Sequence, residues 1–94
     1  MSNNLYTWEF NEKAAKQFEK RLDKPVQRRI INWLDDHIEG SSNPRIWGKS
    51  LEGDLGTLWR YRVGSYRIIA DIHDNIFTVE VVKAGKRNDI YKHR

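Results

Sequence analysis

Cysteine is absent from this chain. That excludes a disulfide framework, a thiolate metal site and a thiol nucleophile. A small chain without such staples is at home in a reducing compartment. Long apolar runs are missing too: nothing approaches the roughly 18 continuous apolar residues of a membrane span. The opening MSNNLYTWEF lacks the basic and apolar regions of a secretory signal. A soluble, cytoplasmic protein without membrane contact is expected. No glycine-rich phosphate loop and no HExxH pair occur. The three histidines, His37, His73 and His93, fall on a predicted helix, a strand end and the tail. Their spacing indicates no metal site, so neither metal nor cofactor is expected.

What is present is aromatic and basic. Ninety-four residues make one domain, 1–94, and four Trp, four Tyr and three Phe give it apolar bulk. The net charge of +4 is unevenly distributed. Residues 1–44 balance seven Lys/Arg against seven Asp/Glu. Residues 45–67 carry +3, residues 68–82 carry −3, and residues 83–94 carry +4. Phosphate or an acidic protein is the partner such basic segments attract.

Periodicity places the elements. Leu5–Phe10 alternates as a strand. Asn11 can cap a helix whose apolar residues Ala14, Phe18 and Leu22 recur every four positions. Pro25 suits the first position of a second helix, with Val26, Ile30, Trp33, Leu34 and Ile38 inward and Gly40 as the stop. Segment 40–56 reads as a long irregular loop, pinned by Ile46, Trp47 and Leu51. Strands Thr57–Val63, Tyr66–His73 and Ile76–Ala84 follow, joined by the two-residue links Gly64-Ser65 and Asp74-Asn75. The expected class is α+β: an antiparallel sheet in the order β-α-α-β-β-β, with a helix hairpin on one face.

Alternation also distributes the chemistry. Tyr66, Ile68, Ala70 and Ile72 form an apolar face for the helices. Arg60, Arg62 and Arg67 then share the open face, unless Asp71, Glu80 or Glu52 pairs with them as surface salt bridges. Arginine, lysine and tyrosine suit a reaction in which negative charge builds on phosphate. RNA cuts itself once its 2′-OH is deprotonated in line with phosphorus and the leaving oxygen is protonated. Fixed cations around the phosphorane lower that barrier, and aromatic rings can hold splayed bases.

The stretch GKSLEGDLGTLWRYRVGSYRIIADI, followed by VEVVKAGKRNDIY, resembles the RelE/ParE toxin superfamily and its RelE branch in particular. The pieces that carry the likeness are GK-x-L-x-G-x-L, LWRYRVGSYRII and GKR-x-x-x-Y, in that order. The resemblance implies the toxin of a type II toxin–antitoxin system. It also implies metal-independent cleavage of mRNA in the decoding site of the ribosome by 2′-OH attack, which stops translation. A cognate RelB-like antitoxin would neutralise a toxin that is monomeric when free and hetero-oligomeric in the complex. Carried over by position, Arg67, Arg87 and Tyr91 match the catalytic residues. Arg60 and Arg62 match the phosphate-gripping pair, and Lys49 and Lys86 are further substrate contacts. Some members have lysines where Arg60 and Arg62 stand; arginine is a poor proton carrier, so these two favour charge stabilisation over acid–base work. Two alternatives remain open: a ParE-like poison of DNA gyrase, and a non-catalytic binding module of the same fold.

Overall fold

The computed structural model describes residues 4–51 and 58–86. The elements are β1 (Thr7–Phe10), α1 (Glu12–Arg21), α2 (Lys24–His37), β2 (Lys49–Ser50), β3 (Leu58–Val63), β4 (Tyr66–His73) and β5 (Thr78–Lys86). Single 3₁₀ turns cover Pro44–Ile46 and Asp74–Ile76. The strands form one five-stranded sheet in the order β1-β5-β4-β3-β2.

The α+β class and the helix hairpin are as the sequence implies, with β2 to β5 paired antiparallel. The sheet differs from a purely antiparallel one at one edge, where β1 runs parallel to β5. Short links dictate antiparallel pairing only between consecutive strands. β1 and β5 are separated by both helices and the meander, so no link fixes their direction. The two-residue β2 was also not expected; it extends the sheet on the far side of β3.

Local chemistry explains the boundaries. The Asn11 side chain accepts from the Lys13 and Ala14 amides and starts α1 as expected. Gly40 takes a left-handed φ of 79° beyond the end of α2. Its amide donates to the Tyr6 carbonyl, and the Tyr6 amide donates to Ser41, tying the helix end to the start of β1. The Gly64-Ser65 link is a tight hairpin, with Gly64 at φ 62°. The Asp74-Asn75 link is longer than expected. A 3₁₀ turn runs through Ile76, and Phe77 adopts φ 50° before β5 begins at Thr78. Packing accounts for that strained residue: the Phe77 ring meets Tyr6 edge-on at 5.4 Å.

Both helices cover one face of the sheet. Phe18 of α1 and Ile30, Leu34 and Ile38 around α2 pack on Tyr61, Ile68, Ala70, Ile72, Val79 and Val81. Each Phe, Leu, Ile or Val among these contributes about 1.5–3 kcal/mol when fully buried. The loop after α2 is held differently from expectation, since Ile46 is 64% exposed. Pro44 is buried instead, and its carbonyl accepts from the Tyr61 hydroxyl at 2.8 Å. The Trp59 indole donates to the Trp47 carbonyl at 2.7 Å. Arg45 forms a bidentate pair with Asp74 at 3.0 and 2.9 Å.

Candidate nucleic-acid interface

The face of the sheet turned away from the helices can be read row by row, because residues directly opposite each other in a ladder share a face. One row runs Arg62, Arg67, Gly85 across β3, β4 and β5. The next runs Lys49, Arg60, Ile69, Lys83 from β2 to β5. Four of the predicted site residues, Lys49, Arg60, Arg62 and Arg67, therefore lie on two adjacent rows of one face. Two residues of strand rise separate such rows, about 7 Å.

Asp71 and Glu80, two of the expected carboxylate partners, are engaged elsewhere. Among the described residues the ion pairs are Arg45–Asp74, His73–Asp71 and His73–Glu80. Asp71 and Glu80 thus turn to His73 and away from the arginines, and Glu52 lies outside the described residues. Arg62 and Lys49 are exposed and Arg60 is half-buried. Arg67 is only 7% exposed, and its guanidinium donates to the Gly64 and Tyr66 carbonyls of the hairpin at 3.3 and 3.2 Å. That curl holds its charge at the tip of the β3–β4 turn.

Lys86 is not brought to this group. The pairing of β4 with β5 slips between Ile69 and Ala70, so that Ile69 faces Lys83 while Ala70 faces Val81. Val82 is the extra residue of a β-bulge, and a bulge inverts the facing of everything beyond it. Straight alternation from Glu80 would carry Lys86 to the open face. The observed register sets it opposite Tyr66, on the helix side. The same slip brings Lys83 into the Arg60 row, a cation that sequence spacing does not single out. The ValVal pair at 81–82 carries no sign of the irregularity. Arg87 and Tyr91 lie outside the described residues, as does His93.

The other end of the open face is acidic. Glu9, Glu80 and Asp71 stand opposite one another across β1, β5 and β4. His73 follows Asp71 by two residues on β4 and donates from Nε2 to Glu80 at 2.9 Å. That hydrogen bond raises the His73 pKa above the usual imidazole value. Glu80 is held below the usual carboxylate range, first by the Asn11 amide at 2.9 Å and then by His73. Asp71, His73 and Glu80 are the side chains among the described residues whose donor atoms converge as metal ligands do. Alternation already puts Asp71 and His73 on one face; only the cross-strand register could add Glu80.

A family model described as the ParE toxin of type II toxin–antitoxin systems, parDE, matches residues 6–91. This chain belongs to that family. No curated protein matches the toxin by sequence. Among solved structures, it is similar to the RelBE2 toxin–antitoxin complex from Mycobacterium tuberculosis. The identity is 25% and the TM-score 0.74, over 88% of this chain and 92% of that one. A mutant of the Escherichia coli toxin RelE in the free state gives 24% identity and a TM-score of 0.73, over 94% of this chain and 88% of that one. An archaeal RelE–RelB complex from Pyrococcus horikoshii gives 22% and 0.61, over 87% and 94%. The toxin has the RelE/ParE fold, two helices on a five-stranded mixed sheet. No helix among its described residues is long and apolar enough to cross a membrane.

Proposed function

We propose that this toxin is a ribosome-dependent endoribonuclease that cuts mRNA in the decoding site and so stops translation in the cytoplasm. The observation that carries the reading is the cationic end of the open face, where Lys49, Arg60, Arg62, Arg67 and Lys83 occupy two adjacent rows. RNA supplies its own nucleophile, the 2′-OH, so the protein's task is to orient the phosphate and stabilise the phosphorane. Guanidinium groups remain charged at any physiological pH, which suits them to that electrostatic work and not to proton transfer. Arg60, Arg62 and Lys49 bind the backbone of the message, and Arg67 places charge beside the reacting phosphate. Arg87 and Tyr91 supply the remaining leaving-group and base contacts. No metal is needed among these groups. A RelB-like antitoxin, of the kind present in the solved RelBE complexes, neutralises the toxin by covering this face. The free toxin is a monomer and the complex a hetero-oligomer.

A second reading has its own support, because the matching family model is that of ParE. In that reading the toxin poisons DNA gyrase and leaves mRNA intact. Mapping mRNA 5′ ends by primer extension on programmed ribosomes, beside an assay for trapped gyrase–DNA complexes, separates the two. New 5′ ends at a decoding-site codon, only on ribosomes and lost in Arg62→Ala, are expected. Intact mRNA together with trapped gyrase would replace the ribonuclease reading with the gyrase one.

A further inference from the structure

Among the described residues, the acidic end of the open face is short of positive charge. Glu9, Glu80 and Asp71 share one row, and His73 is their neighbour on the same face. Among the described residues, both ion pairs of this cluster run to His73: Nε2 lies 2.9 Å from Glu80 and 3.7 Å from Asp71. Even a protonated imidazole leaves the three carboxylates in excess. One donor atom from each of Asp71, His73 and Glu80 lies within 4.8 Å of the others, and all three side chains are half-buried.

The arrangement is also oriented in advance. The Asn11 amide donates to the second oxygen of Glu80 at 2.9 Å, while the Asn11 carbonyl oxygen caps α1. An outer group that fixes a carboxylate in this way is the usual support of a metal ligand. Asp71 and Glu80 are held opposite each other by the β4–β5 ladder, so neither has to be gathered from a mobile loop. One imidazole with two carboxylates suits borderline divalent ions, and three protein ligands leave a position for water.

We propose that Asp71, His73 and Glu80 form a binding site for a divalent transition-metal ion of the zinc class, clipping β4 to β5. Glu9 stands beside it as a further carboxylate. The site lies at the opposite end of the face from Arg62 and Arg67 and does not depend on the ribonuclease reading.

The test is calorimetric titration of the chelator-treated full chain with Zn²⁺, repeated with Co²⁺ and followed by visible absorption. One saturable equivalent is expected, with a rise in the thermal midpoint as Zn²⁺ increases. His73→Gln and Asp71→Asn each remove a ligand and should weaken binding by more than about 100-fold, beyond the loss typical of a supporting group. His37→Ala should leave it unchanged. Imidazole ¹⁵N spectra of the wild type answer without any substitution: Zn²⁺ must shift the His73 Nε2 resonance and spare His37. Absence of saturable binding, binding that survives in folded His73→Gln, or a shift confined to another histidine would overturn the proposal.

Discussion

The two ends of the open face share one ladder and carry opposite charge, and they differ in how that charge is answered. At the acidic end, Glu80 takes hydrogen bonds from both Asn11 and His73, so this one carboxylate is partly answered from within the fold. At the cationic end, Arg62, Lys49 and Lys83 meet no carboxylate within ion-pair distance among the described residues. Arg67 donates to the Gly64 and Tyr66 carbonyls of the hairpin. Like charges such as Arg62, Lys49 and Lys83 held on one face repel one another, and an anion between them relieves that repulsion.

The largest break of that contrast comes from the cations. Removing Arg60 and Arg62 together should lower the rate of mRNA cleavage on ribosomes by at least about 10²-fold, the loss typical of one preorganised donor at a developing oxyanion. The double variant Arg28→Ala/Arg29→Ala on the exposed side of α2 removes the same charge and should leave the rate unchanged. Equal losses in both would mean that net charge, not the face, is what matters.

Next is Gly48, at φ 86°, which lets the loop leading into β2 press against β3 beside Arg60. A Cβ there would stand 2.0 Å from the Arg60 carbonyl oxygen, a backbone atom that cannot swing away. The left-handed backbone alone costs a non-glycine residue about 1–2 kcal/mol, and the clash adds to it. Gly48→Ala should therefore destabilise by more than about 2 kcal/mol in denaturant unfolding. Gly64→Ala should cost less, because its new methyl meets only the Arg29 guanidinium, which can move.

A finer test concerns the bulge. Each cation withdrawn from a phosphate of single-stranded RNA lowers the salt slope of binding by about 0.7. Lys83→Ala should show that reduction, while Lys86→Ala should leave the slope unchanged, since register places it on the helix side. The reverse result would mean that the slip at Val82 does not govern which lysine faces RNA.

The bulge also marks the limit of what the sequence discloses. Helix caps, the inward stripes and the gathering of Arg60, Arg62 and Arg67 follow from spacing alone, because each depends on a period or a local hydrogen bond. The parallel seating of β1, the exchange of Lys83 for Lys86 and the addition of Glu80 to His73 depend on register between distant strands. No local pattern encodes that. Phe77 is a similar case: its left-handed backbone is stabilised by contact with Tyr6, 71 positions earlier in the chain.

The smallest effect should come from the link between the two ends. Asp74, in the turn after β4, accepts from Tyr6 at 2.5 Å and from Arg45 in the loop that leads to β2. Arg45 foremost, then Tyr6, holds the Asp74 pKa below the usual carboxylate value. A depressed carboxylate contributes stability that is present above its unfolded pKa of 3.8 and lost as pH falls through the folded value. Asp74 is 56% exposed, so solvent screens the pair, and Asp74→Asn should cost only about 0.5–1 kcal/mol at neutral pH. The same variant should flatten the acid limb of the stability curve below the ordinary carboxylate pKa, where the unfolded chain has bound the proton and the native carboxylate has not. A double-mutant cycle with Arg45→Ala in denaturant unfolding measures the pair itself. A coupling well above about 1 kcal/mol would show that the loop and the turn act as one clasp. Stability at the acidic end would then control the position of β2 at the cationic end, and the two ends could no longer be treated as independent.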